Sequence, residues 1–261
     1  MVYASLLCSG FPENYHGGVT LVSSLRDVTP GASFDVAVRI SLDPGWHTYW
    51  QNPGDAGIPP RITWSLPDGW KAGEIRWPIP HRLVAPEVVS YGYEREALLL
   101  VRLTVPASAK FGSQVSVKAK VDWLVCQDGC IPAKAQSEIR LSVGSKRLPD
   151  VAWAPRIHAA ELALPIPAAA DAYSATLSGS QISLTFRQSA SNGVTFYPAD
   201  PVVEPSAPQT LRSEAGRSTL TLTLSQFAPS QVPRLRGLLV SQRGTTFKSE
   251  SIDVPLQRKN L

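Results

Sequence analysis

Two cysteines four residues apart, Cys126 and Cys130, enclose Gln127-Asp128-Gly129. Thiols at this spacing can do disulfide exchange, form a static cross-link, or hold a soft metal ion. Val115, Val117, Ala119, Val121, Trp123 and Val125 alternate with more polar residues and lead directly into Cys126. Asp128-Gly129 then supplies a turn, so the pair is expected on a bend at a strand end, near the surface. A disulfide needs Cα atoms roughly 4.4–6.8 Å apart, which a turn can provide and a fully extended segment cannot. Closing so short a loop removes little chain entropy, whereas a stabilising cross-link gains more by joining distant strands. That asymmetry favours redox work, while an inert local disulfide in an exported protein remains open. Zinc is weaker, because only His47 and His81 could supplement the thiols, and copper binding is a further alternative. No Lys, Arg or His lies inside the loop and Asp128 opposes a thiolate, so activation must come from the docking partner.

The elements that must position this pair are strands. Phe34, Val36, Val38, Ile40 and Leu42 alternate with more polar residues, and Ile62, Trp64 and Leu66 repeat the pattern. Leu98 to Val105 is a nearly continuous apolar run, and Ile139, Leu141 and Val143 follow the cysteines. Turn chemistry at Asp43-Pro44-Gly45, Pro53-Gly54-Asp55, Pro67-Asp68-Gly69 and Phe111-Gly112-Ser113 separates these runs. A second series comprises Ile182, Leu184 and Phe186, then Leu220, Leu222 and Leu224, then Leu235 to Val240, then Ile252, Val254 and Leu256. Between them, residues 144–170 are rich in Ala and Pro, with a short turn near Ile157 to Leu162, and the linker is placed around Gly144 to Pro155. Two series of short strands predict an all-β chain of two tandem sandwiches.

Composition limits the rest. The 261 residues include 23 Pro and 18 Gly, which argues against a helical bundle, and 43% hydrophobic content argues against disorder. The net charge of +4 is mild and evenly spread, so no nucleic-acid partner is expected. No run of about 18 apolar residues exists, so no membrane contact by this fragment itself is expected. Residues 1–18 read as a loosely held tail in which Cys8 is incidental. Six of the seven Trp, three of the four His and all the cysteines precede residue 145. The second half therefore reads as support or docking surface.

Around the cysteines, Trp123-Leu124-Val125-Cys126-Gln127-Asp128-Gly129-Cys130-Ile131-Pro132 resembles the redox segment of the N-terminal periplasmic region of the DsbD/ScsB family, bacterial membrane thiol–disulfide interchange reductases. Two further blocks are similar to the same family: Pro44 through Gly57, containing Gly54-Asp55-Ala56-Gly57, and Tyr91-Gly92-Tyr93-Glu94. Their order and spacing match across about residues 19–145. The cysteine spacing and the Gly-Asp-Ala-Gly block look more like the copper-tolerance branch, ScsB. The resemblance implies two immunoglobulin-like β-sandwich domains, a redox-active one over 19–145 and a second over 146–261. It implies a protein-disulfide reductase type of enzyme in the periplasm, the soluble part of an inner-membrane protein, working without a cofactor or metal. Electrons would come from thioredoxin-like and membrane domains of the same full-length protein. They would pass to periplasmic thioredoxin-fold thiol proteins of the disulfide isomerase type.

By the same resemblance Cys130 forms the mixed disulfide with partners and Cys126 resolves it. Ser90-Tyr91-Gly92-Tyr93 falls where the family has a cap loop, with Ser90 at the tip, so Tyr91 or Tyr93 is expected to shield the sulfurs. His47 and Tyr49 fall among active-site aromatic positions, although His47 reads equally well as a structural residue. The competing class is a structural or adhesin-like tandem sandwich with an inert disulfide, and a third is a periplasmic copper-binding protein. No hydrolase or phosphate-binding motif occurs.

Overall fold

The computed structural model describes residues 16–86, 88–169, 171–187, 193–243 and 246–259. Cys8 and most of the expected tail lie outside these residues, while Gly17 and Gly18 already belong to the first strand.

Period-two burial builds a first sandwich from two sheets. One sheet has the order β1 (Gly17–Ser23), β3 (Ser33–Leu42), β9 (Glu96–Thr104), β6 (Lys71–Arg76). The other runs β12 (Leu148–Pro149), β2 (Leu25–Val28), β11 (Cys130–Val143), β10 (Gln114–Cys126), β4 (His47–Gly54), β8 (Val88–Glu94), β7 (His81–Ala85). A short strand, β5 (Arg61–Ser65), pairs with β10 over Lys118 to Asp122. Val117, Ala119, Val121, Trp123 and Val125 of β10 turn inward and meet Val36, Val38 and Ile40 of β3 in one core. The alternation seen in the sequence is thus the inner face of this sandwich.

The segment after Val143 is attached to this first sandwich. Its strand β12 pairs with β2, and helix α1 (Ala154–Leu162) lies across the outer side of the β3–β9 sheet. Sequence alone suggested only a short turn here, because nine residues offer little helical periodicity. The helix starts where Asp150 Oδ1 accepts the Ala152 and Trp153 N–H groups and Pro155 occupies its first turn. Ile157 fills a satellite core against Val22, Ala37 and Leu100. Glu161 accepts hydrogen bonds from Arg76 and Arg102, which also bind the buried Asp35 carboxylate. That ion network compensates a carboxylate that would otherwise be stranded away from water.

The second sandwich follows the order β16 (Val194–Pro198), β19 (Arg234–Arg243), β20 (Thr246–Arg258), β14 (Tyr173–Ser178), β15 (Gln181–Phe186), β18 (Arg217–Thr223), β17 (Thr210–Glu214). A two-residue strand, β13 (Ile166–Pro167), also pairs with β20. β20 joins β19 over most of its length and β14 over Leu256 to Arg258, so one strand serves both layers. The two sandwiches meet beside β4 and β8. Asn52 is buried and donates from Nδ2 to the carbonyl oxygens of Pro198 (2.8 Å) and Asp200 (3.2 Å). Tyr197 sets its ring edge-on to Trp50 and Tyr91. Among the described residues no helix is long and apolar enough to cross a membrane.

Replacing Ile157 with Ala removes the anchor of α1. The expected loss is about 3 kcal/mol of unfolding free energy, read as a lower urea midpoint at unchanged slope.

Candidate functional site

The cysteines close a hairpin. β10 and β11 pair continuously from Gln114↔Ser142 to Cys126↔Cys130, leaving Gln127, Asp128 and Gly129 as the turn. The two sulfurs are bonded and the Cα atoms are 4.2 Å apart. Their exposure differs sharply: Cys126 is 2% accessible and Cys130 is exposed. An incoming sulfur therefore reaches Cys130 first, because exchange needs open, in-line approach.

Cys126 is covered by β4. β10 changes partners on this edge, from β5 at Asp122↔Arg61 to β4 at Cys126↔His47. In the gap, the buried Thr48 hydroxyl donates to the Leu124 carbonyl at 2.8 Å. Tyr49 then places its hydroxyl on the disulfide, donating to Cys126 Sγ at 3.0 Å and lying 3.4 Å from Cys130 Sγ. Burial raises the Tyr49 pKa above that of an ordinary phenol, so this group stays a protonated donor throughout the neutral range. His47 sets its ring edge-on to Tyr49, with centroids 5.4 Å apart. Burial lowers the His47 pKa below the usual imidazole value, and the charge of Glu94 partly opposes that shift.

Two glycines permit the close approaches around Tyr49. Gly57 has φ +118°, and a methyl group there would overlap the Tyr49 ring. Gly92 faces Tyr49 across the β4–β8 ladder, where a Cβ would strike the Thr48 carbonyl. The loop carrying Gly57 is braced by Asp55, whose Oδ2 accepts the Val89 N–H and whose own N–H donates to the Val89 carbonyl. Ser90 donates to the Ala56 carbonyl. Asp55 is thus a loop brace, and the Gly-Asp-Ala-Gly block becomes a seat for the Tyr49 ring. Neither Thr48 nor Gly57 stands out by residue type; the signal available in the sequence was the glycine pair flanking Asp55-Ala56.

Tyr91 and Tyr93 do not form the expected cap. Tyr93 pairs with Thr48 in the ladder, so Tyr91 and Tyr93 share the inward side of the sheet with Thr48 and Trp50, while His47 and Tyr49 share the other. Both tyrosines are buried in the first core; Tyr93 donates to the Pro78 carbonyl at 2.9 Å and Tyr91 abuts Trp50 and Tyr197. Ser90, expected at the tip of a cap, is buried as well. The period-two alternation of a strand excludes these rings from the face that carries the sulfurs. Tyr49 is the aromatic group that the fold brings to the disulfide. His81, at the start of β7, is exposed, and no cluster of three or more His, Cys, Asp or Glu able to hold a metal occurs among the described residues.

A mostly β chain whose first sandwich ends a hairpin in a half-exposed cysteine pair defines an immunoglobulin-like thiol–disulfide interchange module. Residues 22–142 match the family described as thiol:disulfide interchange protein DsbD, N-terminal. The whole chain is similar to the crystal structure of the N-terminal periplasmic domain of ScsB from Proteus mirabilis. That match has a TM-score of 0.67 and 18% identity, covering 94% of this chain and 96% of that one. A much weaker likeness, TM-score 0.30 at 9% identity over 93% of this chain and 70% of that one, links it to the BcpA major pilin subunit of Bacillus cereus and carries no argument. No curated protein matches the chain.

The ring of Tyr49 shields Cys126, and its hydroxyl is a separate contribution. Tyr49→Ala should let dithiothreitol reduce the disulfide at least about threefold faster, and Gly57→Ala should follow it by displacing the ring. Tyr49→Phe, which keeps the ring, should stay close to the parent rate under the same pseudo-first-order conditions.

Proposed function

We propose that this chain is a periplasmic protein-disulfide reductase module of the ScsB type, cycling through the Cys126–Cys130 pair. The observation that carries the reading is the asymmetry of the sulfurs: Cys130 is exposed, while Cys126 is buried under Tyr49. In the reduced state the Cys130 thiolate attacks one sulfur of a partner disulfide. A mixed disulfide forms and the partner's second sulfur leaves as a thiolate, which takes up a proton. Cys126, now a thiolate, attacks Cys130 Sγ. The Cys126–Cys130 bond forms, the bond to the partner breaks, and the partner departs as a dithiol. Two electrons have passed to the partner, and the module is again oxidised.

The partners consistent with this chemistry are periplasmic thioredoxin-fold thiol proteins of the disulfide isomerase type. A thioredoxin-like domain of the same full-length inner-membrane protein would return the electrons. The exchange needs no cofactor. The redox domain includes β12 and α1, since both rest on the first sandwich. The second sandwich orients the first through Asn52 and Tyr197. The ScsB assignment rests on the four-residue cysteine spacing and on Gly54-Asp55-Ala56-Gly57, which seats Tyr49.

Reduced Cys126→Ser, mixed with an oxidised disulfide isomerase of thioredoxin fold, should accumulate a covalent adduct on a non-reducing gel. Reduced Cys130→Ser should give none, and its partner-reducing activity should be lost. Undiminished reduction of the partner by Cys130→Ser would overturn the assignment of roles.

A further inference from the structure

Four side chains form one row across the sheet that carries the site. Cys130 pairs with Cys126 across the hairpin, Cys126 pairs with His47 on β4, and His47 pairs with Glu94 on β8. Cross-strand partners point to the same face with Cβ atoms about 4.5–5.5 Å apart. The row therefore reads thiol, thiol, imidazole, carboxylate, which is the order of a nucleophile, its base and the group that supports the base.

We infer that His47 takes the proton from Cys126 when Cys126 resolves the mixed disulfide, with Glu94 supporting the imidazolium that forms. This rests on the exchange reading above. Cys126 is 2% accessible, and a sulfur that deep is poorly placed to give its proton directly to water. The titratable groups that the ladder and ring contacts place around His47 are Glu94 from β8, Tyr49 beside it on β4, and the cysteine pair from the hairpin. Tyr49 is held protonated by burial and cannot serve as the base, and Asp128 is exposed at the tip of the turn. His47 is the half-buried base next to Cys126 in the ladder, and its lowered pKa keeps it neutral and ready to accept at neutral pH.

The step balances without another reactant. The proton moves from Cys126 Sγ to an imidazole nitrogen as Cys126 attacks Cys130 Sγ. The electron pair of the old Cys130–partner bond leaves on the partner sulfur. The imidazolium then returns its proton to that departing thiolate or to water. Exposed Cys130 needs no such help, so the two halves of the reaction differ in their dependence on His47.

Reduced protein mixed with 5,5′-dithiobis(2-nitrobenzoate) in a stopped-flow instrument separates them. The first thionitrobenzoate released reports attack by Cys130, and the second reports resolution by Cys126. In the parent, the second phase should lose rate as pH falls through the His47 titration. His47→Phe should leave the first phase unchanged and slow the second at least about tenfold at pH 6–7, with the difference closing near pH 9. His47→Gln, polar and similar in size but unable to hold the proton, should behave like His47→Phe. Glu94→Gln should move the inflection to lower pH, because the charge of Glu94 raises the His47 pKa. A second phase with the parental pH profile in both His47 variants, or its rescue by Gln, would overturn the inference while leaving the exchange reading intact. Absence of any second release from the parent protein would instead defeat the exchange reading itself.

Discussion

A disulfide drawn across the last pair of a hairpin puts its two sulfurs into unequal surroundings, and the rest of the site follows from that constraint. β10 meets β4 at Cys126, whereas β11 meets β2 only at its far end, at Ser142 and Val143, so Cys126 ends against a neighbour while Cys130 ends against solvent. The neighbour is β4, which joins β10 through the single pair Cys126↔His47. Thr48 fills the opening between β5 and β4 by bonding the Leu124 carbonyl, and that bond fixes the height at which Tyr49 meets the sulfurs.

Much of this arrangement could be read from residue order. Val115 to Val125 named both a strand and its buried face, because one-sided burial writes itself as alternation. Asp128-Gly129 named the turn, and the cysteine spacing put the bond at the end of it. The second series of apolar alternation likewise identified β15, β18 and β20. The helix α1 was harder. Only Ile157 is fully buried on it, Ala160 packs beside it in a small satellite cluster and Leu162 is exposed, so no stripe of helical period develops.

The error over Tyr91 and Tyr93 has a physical source. A Tyr-Gly-Tyr sequence in a loop offers two lids about a flexible point, but the same three residues in a strand put both rings on one face and leave a gap on the other. β8 is a strand, and the face it chooses is the core, where Trp50 and Tyr197 receive Tyr91. The residue that covers the disulfide lies on the adjacent strand, two positions after His47. Its seat is made by Gly57, whose role depends on a close approach in space that no local sequence pattern encodes.

Strand β4 works on both of its sides. His47 and Tyr49 address the sulfurs, whereas Trp50 and Asn52, the next residues along, hold the second sandwich. Severing the chain beyond α1 would uncover an indole and strand an amide that has two carbonyl partners, on the same eight-residue strand whose Tyr49 contacts the disulfide. The second sandwich therefore backs the strand whose opposite side covers the Cys126–Cys130 disulfide.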